Sequence, residues 1–373
     1  MDLNSLNTPA LILDKAIVER NTTRMSERMQ VHGVSLRPHL KTAKSARVAK
    51  LATSGHSGAI TVSTLAEAEY FLDHGFDDIT YAVCIVPSKL PQAAALTTGG
   101  ANLKILTDNA DTAAAIAAYR HDVAFKVLIE IDCGDARTGL LPESPELIEI
   151  GTIINKAANA ELCGVLTHGG HSYMAVDVDG IKQAAREERA AILRAAERLR
   201  DAGLPCPTVS AGSTPTAMHG ETYEGITEMR PGVFVFFDLD QLARNACTRE
   251  DLALSVLASV IGHNRHIGHL SIDAGALALS KDISANAHWP HVGYGVLCDP
   301  VTMAPLEGLN VAKVSQEHGV VPVSDESIYE RLPVGSKVRV LPNHACITAA
   351  GYNCYHVAED SQIVDQWDRV NGW

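Results

Sequence analysis

Several things are missing from this sequence, and each absence closes off a class of function. There is no block of lysine or arginine, and the 373-residue chain carries a formal net charge of −13. Nucleic acid and anionic membrane surfaces are therefore poor partners. A small anionic ligand stays open, because backbone amides and one or two cations can hold it against the global field. No uninterrupted apolar run approaches the length needed to cross a bilayer. The opening, MDLNSLNTPALILD, lacks a basic stretch followed by an apolar run, so no secretory leader is expected. Eight cysteines, at 84, 133, 163, 206, 247, 298, 346 and 354, form no CxxC pair and no dense framework. Such usage reads as reduced thiols in a cytoplasmic protein, most of them small buried apolar groups. Internal repeats, low-complexity segments and long linkers are also absent.

What is present is a chain that is 46% hydrophobic and 20% charged, the balance of a globular protein with a full core. Its length exceeds the usual single domain, so one large barrel plus a smaller domain is expected. Between about residues 36 and 240, short β-rich runs alternate with helical stretches. The strand runs are SLRPHL (35–40), AITVST (59–64), DITYAV (78–83), NLKILTD (102–108), AFKVLIEID (124–132), ELCGVLTH (161–168), PTVSAG (207–212) and GITEMR (225–230). Helical spacing shows in LAEAEYFLDHG, in NADTAAAIAAYRHD (109–122) and most clearly from Val178 to Ala202, which Gly203 and Pro205 close. Eight such alternations predict a closed parallel (β/α)8 barrel, with an open doubly wound sheet as the alternative; the last helix, between Gly212 and Gly225, is weakly marked. After about residue 245 the runs LALSVLASVIGH, HLSIDAGALAL, LNVAKVSQEH and SKVRVLPNH are strand-like and separated by Gly, Pro and Asn. The expected division is a barrel over 15–245 and a mostly β domain over 246–373, joined by the N-terminal segment 1–14 with its strand PALILD.

Reactive groups of a parallel barrel collect at the carboxyl ends of its strands. Here those ends present His39 and Lys41, Asp132 and Arg137, then His168, His171 and Tyr173, then the SAGSTPT turn, and Arg230. Lys41 is the pivotal one, since a lysine amine that is partly neutral can form a Schiff base with a carbonyl cofactor, and Arg37 and Lys44 supply cations that favour neutrality. From spacing alone, a lysine snorkelling at the rim is the better explanation of the position. Gly212, Ser213 and Thr214 suit a backbone nest for a phosphate, although Gly-Ser-Thr turns are common. In LPNHACIT, His344 and Cys346 stand two apart; on an extended strand they would face the same side and could share a zinc ion. A core cysteine beside a surface histidine fits the same spacing.

Taken together, TPALILD, RPHLKTAK, ITVSTLAEAEYF, THGGHSY, SAGSTPT, RPGVFVFFD, SQEHG and PNHACIT resemble the metal-dependent D-serine dehydratase and D-threonine aldolase group. The resemblance spans nearly the whole chain and implies the alanine racemase-like, fold type III architecture: a PLP-binding (β/α)8 TIM barrel followed by a β domain. Within the group, the dehydratase branch acting on D-threo-3-hydroxyaspartate is the one it resembles most. The resemblance implies that Lys41 carries pyridoxal 5'-phosphate, that Arg137 contacts the ring hydroxyl, that His168 lies against the ring, and that Tyr173 is close by. It gives the phosphate to Gly212, Ser213 and Thr214, with Gly232 and Val233, and relates Arg230 loosely to the racemases' arginine at the ring nitrogen. His344 and Cys346 correspond to the metal ligands, for zinc or alternatively manganese, and His171 is the candidate proton donor to a leaving hydroxyl. Ala43 stands where the group has a second histidine. The aldolase branch usually has His-x-Asp at the metal, so His-x-Cys leans toward dehydration of a D-β-hydroxy amino acid to a 2-oxo acid and ammonia. Retro-aldol cleavage to glycine and an aldehyde is the alternative. Racemisation, which has no use for a metal, and non-catalytic PLP binding, which needs no β domain, fit less well. A homodimer follows from the resemblance only.

Overall fold

The computed structural model describes residues 2–120, 122 and 124–373. The predicted helical run 109–122 thus includes one residue, His121, that lies outside the described residues, as does Met1 of the N-terminal segment. Two compact units emerge: one holds the chain up to Thr22 together with Val233–Asn371, the other holds Thr23–Gly232 with Gly372–Trp373. After β1 (Ala10–Asp14), the strands β2 (Ser35–Leu36), β3 (Ile60–Val62), β4 (Asp78–Cys84), β5 (Asn102–Thr107), β6 (Phe125–Ile131), β7 (Ala160–Thr167), β8 (Thr208–Ala211) and β9 (Glu228–Met229) build the second of these units. They are parallel, in the order β2-β9-β8-β7-β6-β5-β4-β3. Closure between β3 and β2 is made by the segment after β2: Leu40 N–H donates to the Thr61 carbonyl at 2.8 Å, and Thr61 N–H to that of Pro38 at 2.9 Å. The ring therefore closes on the residues flanking His39.

Local sequence explains the alternation. β6 is almost continuously buried, as expected of a strand covered on both faces. Helices start where a side chain satisfies an orphan N–H: Thr64 caps Leu65–Asp73, Asn109 caps Ala110–Ala118, and Asp177 caps Val178–Asp201. The weakly marked last helix is the short Thr214–His219, opened by a reciprocal capping box between Ser213 and Thr216.

The other unit is built on β10 (Leu254–Asn264), β11 (His269–Ile272), β12 (Gly295–Cys298), β13 (Pro305–Asn310), β14 (Lys313–Val314), β15 (Gly319–Pro322), β16 (Lys337–Pro342), β17 (Cys354–Glu359) and β18 (Gln362–Asp368). Its main path runs β13-β12-β16-β10-β1-β17-β18, with β11, β15 and β14 extending from β10. The PALILD run is an inner strand here: β1 is antiparallel to β10 and parallel to β17, with Ile12 opposite Ser255 and His356. Leu3, Leu6, Ile12, Leu257 and Ala358 form one apolar cluster around it. The predicted strand HLSIDAGALAL is only partly extended, because after β11 the residues Ala276–Leu279 coil into a helical turn. Ala and Leu are strong helix formers, and the preceding Gly275 admits the backbone of Gln316–His318, where a Cβ would lie 2.4 Å from His318 N. Among the described residues, no helix is long and apolar enough to cross a membrane.

Candidate active site

A cavity of about 430 Å³ opens at the carboxyl ends of the barrel strands. Of the residues singled out in the sequence, it brings together Lys41, Arg137, His168, Gly212 and Arg230 in its lining, together with His39. Lys41 stands exposed in this lining, and its amine makes no hydrogen bond or ion pair among the described residues. The two cations expected to favour its neutral form are themselves engaged by carboxylates. Arg37 is buried and paired with Glu228 at 2.7 Å and Asp78 at 3.0 Å, and Lys44 is paired with Glu67 at 3.2 Å. Each is neutralised by carboxylates that the strand pattern alone could not match to it. The neighbours of Lys41 are instead His39, whose Nδ1 accepts the Lys41 backbone N–H at 3.5 Å, and His168.

Both imidazoles are held neutral. Burial, then the charges of Lys41 and Arg137, pull the His168 pKa down to about 3; burial, then Lys41 and Arg230, hold His39 well below its ordinary range. His168 Nδ1 lies 3.2 Å from the Gly212 carbonyl, which fixes the proton on that nitrogen and leaves Nε2 without one. Arg230 is buried, donates to Ser210 Oγ and to the Thr167 carbonyl, both at 2.6 Å, and retains a buried Nε without a hydrogen-bond partner. Burial pulls its pKa down to about 10, so it remains a cation at neutral pH.

Four further groups escaped the sequence reading. Cys84, Asp108 and Glu130 offer ligand atoms within 4.8 Å of one another at the ends of β4 to β6, and Cys84 and Glu130 line the cavity. The Cys84 thiol donates to Glu130 at 3.0 Å; burial and then Glu130 push its pKa up, so it stays protonated. A glutamate inside the apolar run VLIEID was the available signal for Glu130. Glu188 gave none, since it sits in REERAA among surface charges. It is buried, accepts the Gly212 N–H at 2.8 Å, and is pushed up by burial.

The remaining candidates are not among the lining residues. Ser213 is committed to its turn: its hydroxyl meets Ser172 Oγ at 2.9 Å, and its N–H donates to Thr216 Oγ1 at 3.0 Å. Thr214 is buried at the start of the following helix. Gly232 packs so that a Cβ would come within 3.0 Å of the His39 carbonyl. The Tyr173 ring is centred 6.4 Å from that of His168. His171 lies over Gly134, with Nε2 at 3.5 Å from Glu187 and Nδ1 at 4.0 Å from Cys133 Sγ. It is not among the lining residues, so a proton from it would need a relay to reach the cavity. Val233 is buried and opens a 3-10 turn of the β unit.

In the β unit, His344 and Cys346 are not on an extended strand. β16 ends at Pro342; His344 is the N-cap of a helix over Ala345–Ala349, and Cys346 lies in its first turn. Strand alternation is thus the wrong reason for their proximity, and the helix start is the right one. Two buried or half-buried carboxylates brace the pair. Asp282 accepts from His344 Nδ1 at 2.8 Å, leaving Nε2 as the other ring nitrogen, and that hydrogen bond holds the Asp282 pKa down to about 2. Asp238 accepts the N–H of Ala345, the residue between the two, at 2.9 Å, and burial pushes its pKa up to about 6. An imidazole and a thiol, with the imidazole's other nitrogen on a carboxylate, are donor types that a divalent metal accepts.

Residues 13–240 match the family described as "Alanine racemase, N-terminal domain", and residues 253–358 match a serine dehydratase domain family. The chain is 43% identical to D-threo-3-hydroxyaspartate dehydratase of Delftia sp. (strain HT23), across 100% of this chain and 99% of that protein. It is 31% identical to D-serine dehydratase of Dictyostelium discoideum, across 100% and 98%. A solved structure of the D-threo-3-hydroxyaspartate dehydratase, a cysteine-to-alanine mutant in the metal-free form, superposes with a TM-score of 0.96 at 42% identity, covering 100% of both chains.

Proposed function

Since the chain belongs to the family that joins an alanine racemase-type barrel to a serine dehydratase domain, we propose that it is a pyridoxal-phosphate- and divalent-metal-dependent lyase. Its substrate is a D-β-hydroxy amino acid, D-threo-3-hydroxyaspartate or D-serine, and its products are a 2-oxo acid and ammonia. The single observation that carries this reading is the Lys41 amine, unpaired in a cavity lined by Arg137, His168 and Arg230.

The cavity's residues fit the cofactor. Arg230 Nε is a buried donor in want of an acceptor, and the pocket's cations suit a phosphorylated, hydroxylated ring. In this reading Lys41 would hold the cofactor covalently, Arg137 and neutral His168 would help to bind its ring, and the Gly212–Thr214 turn would take the phosphate. Ser213 contributes by building that turn, because its hydroxyl and amide are already engaged. Bound pyridoxal phosphate supplies an electron sink for charge developing at Cα. Lys41 Nζ would take the Cα proton from its own side of the substrate, which would select the D configuration. His344 Nε2 and Cys346 Sγ would hold the metal, zinc by the softness of the thiolate or else manganese. A metal there supplies Lewis acidity to a β-hydroxyl, a poor leaving group otherwise. Asp282 keeps Nε2 of His344 turned outward, and Asp238 fixes the peptide between the two ligands.

The solved D-threo-3-hydroxyaspartate dehydratase that is metal-free carries a cysteine-to-alanine substitution, which supports a cysteine at the metal. We further take the enzyme to be a cytoplasmic homodimer; all eight cysteines are free thiols, which suits a reducing compartment. The test is product analysis after incubation with D-threo-3-hydroxyaspartate, D-serine and D-threonine. Oxaloacetate or pyruvate with ammonia is expected. Glycine with an aldehyde would replace dehydration by retro-aldol cleavage, and no turnover of any D-substrate would end the proposal.

A further inference from the structure

The β unit contains a second cavity, of about 560 Å³, walled by residues of β16, the Asp14–Arg20 segment, and the loops at 249–252, 301–305 and 360–361. Its wall includes Arg339, which is only 4% exposed. On β16 this residue stands opposite Leu257 of β10 and Cys298 of β12, a strand position flanked by the fully buried Val338 and Val340. An arginine there is anomalous, because a buried guanidinium is normally matched by a carboxylate. Arg339 has no such match: Nε donates to Ser255 Oγ at 2.7 Å, and no ion pair or further hydrogen bond is made among the described residues. Burial pulls its pKa down to about 10 against the attraction of Asp14, so the group is still charged at neutral pH. The remaining N–H groups have no protein acceptor among the described residues and form a planar donor edge on the cavity wall.

The rest of the wall defines what could satisfy that edge. Arg249 and Arg20 add positive charge near the surface, Arg20 with partial neutralisation by Asp251 at 3.7 Å. Glu250 and Asp360 are exposed, and Asp14 spends one carboxylate oxygen on the Ile17 N–H at 3.1 Å. These acids oppose a polyanion but leave room for one compact oxyanion, and a guanidinium edge matches carboxylate or phosphate in a bidentate way. We propose that this cavity is a second ligand site, taking a small carboxylate or phosphate on Arg339. It stands independently of the chemistry assigned to the barrel pocket.

The experiment is calorimetric titration of the holoenzyme, whose cofactor phosphate is already in place, with inorganic phosphate and separately with malonate. At least one binding event is expected whose affinity falls about tenfold or more in Arg339→Met, the loss of a charge-assisted pair. The ligand should also raise the melting temperature of the wild type and not that of the variant. Arg339→Met should fold, since an unbranched apolar side chain fills the same strand position and breaks no ion pair within hydrogen-bond distance. If it does not, Ala304→Trp, which fills the cavity from an exposed wall position, should cause the same loss. Binding of phosphate alone or malonate alone would each support the site and name its oxyanion. Failure of both to bind, or binding unchanged in the folded variant, would overturn it.

Discussion

In the barrel pocket the imidazoles of His39 and His168 are held neutral, because burial and the charges of Lys41, Arg137 and Arg230 all disfavour a further proton. In the β unit the reverse holds. Burial opposes protonation of His344, yet Cys346, Asp282 and Asp238 together push its pKa up to about 11. One region is a cationic cavity with neutral histidines; the other is an anionic corner that keeps a cation on its histidine when no metal is there. In the function proposed, the first composition suits a phosphorylated ring and the second a divalent ion, whose binding would displace the proton. The contrast is one of opposite electrostatic sign, and under the proposed function it would divide two tasks, proton removal at Cα and departure of the β-oxygen, between the two sites.

The sharpest break in that contrast comes from removing the amine. Lys41→Ala should lower the rate by about 10⁴-fold or more and abolish the visible absorption of bound cofactor, read by steady-state kinetics and spectrophotometry. Removing the anionic corner should act differently. Chelation, or Cys346→Ala, should cost about 10²- to 10⁴-fold in dehydration while the cofactor band remains, because Lewis acidity supplies several kcal/mol at a poor leaving group. A band lost with the metal would merge the two sites into one. A smaller effect is expected from Asp282→Ala, which frees the His344 ring without removing a ligand; metal affinity should weaken about 10- to 100-fold by competition with a chelating dye.

The smallest effect concerns pH. The His168 pKa lies at about 3 in the fold against an ordinary 6.5, so between those values the unfolded chain binds more protons. Stability from this group is complete above 6.5 and is lost as pH falls toward 3. His168→Gln, which keeps a donor for the Gly212 carbonyl, should flatten that acid limb by about one proton per chain in denaturant titrations. An unchanged slope would mean the imidazole is already protonated in the native pocket.

Much of the architecture was legible because barrel strands announce themselves by apolar runs and their helices by capping residues such as Thr64, Asn109 and Asp177. The rim residues followed from strand ends, so Lys41, Arg137, His168 and Arg230 could be found before any coordinates. Partners across the fold could not. Nothing local distinguishes Glu188, which grips the Gly212 amide, from the surface glutamates beside it. Asp238 and Asp282 lie 106 and 62 residues before His344, and only tertiary structure brings such carboxylates to the pair. The geometry of His344 and Cys346 was also misjudged, since the proline ending β16 turns the chain into a helix where alternation predicted a strand.

The most direct test of the division of labour is hydrogen exchange at the substrate's α-carbon in metal-depleted enzyme. Chelated holoenzyme incubated with D-serine in D₂O should return substrate deuterated at Cα while releasing no ammonia, and Lys41→Ala should return it unlabelled. Loss of exchange together with elimination on metal removal would contradict the account, because proton abstraction would then depend on the β unit's ion and not on the barrel's amine.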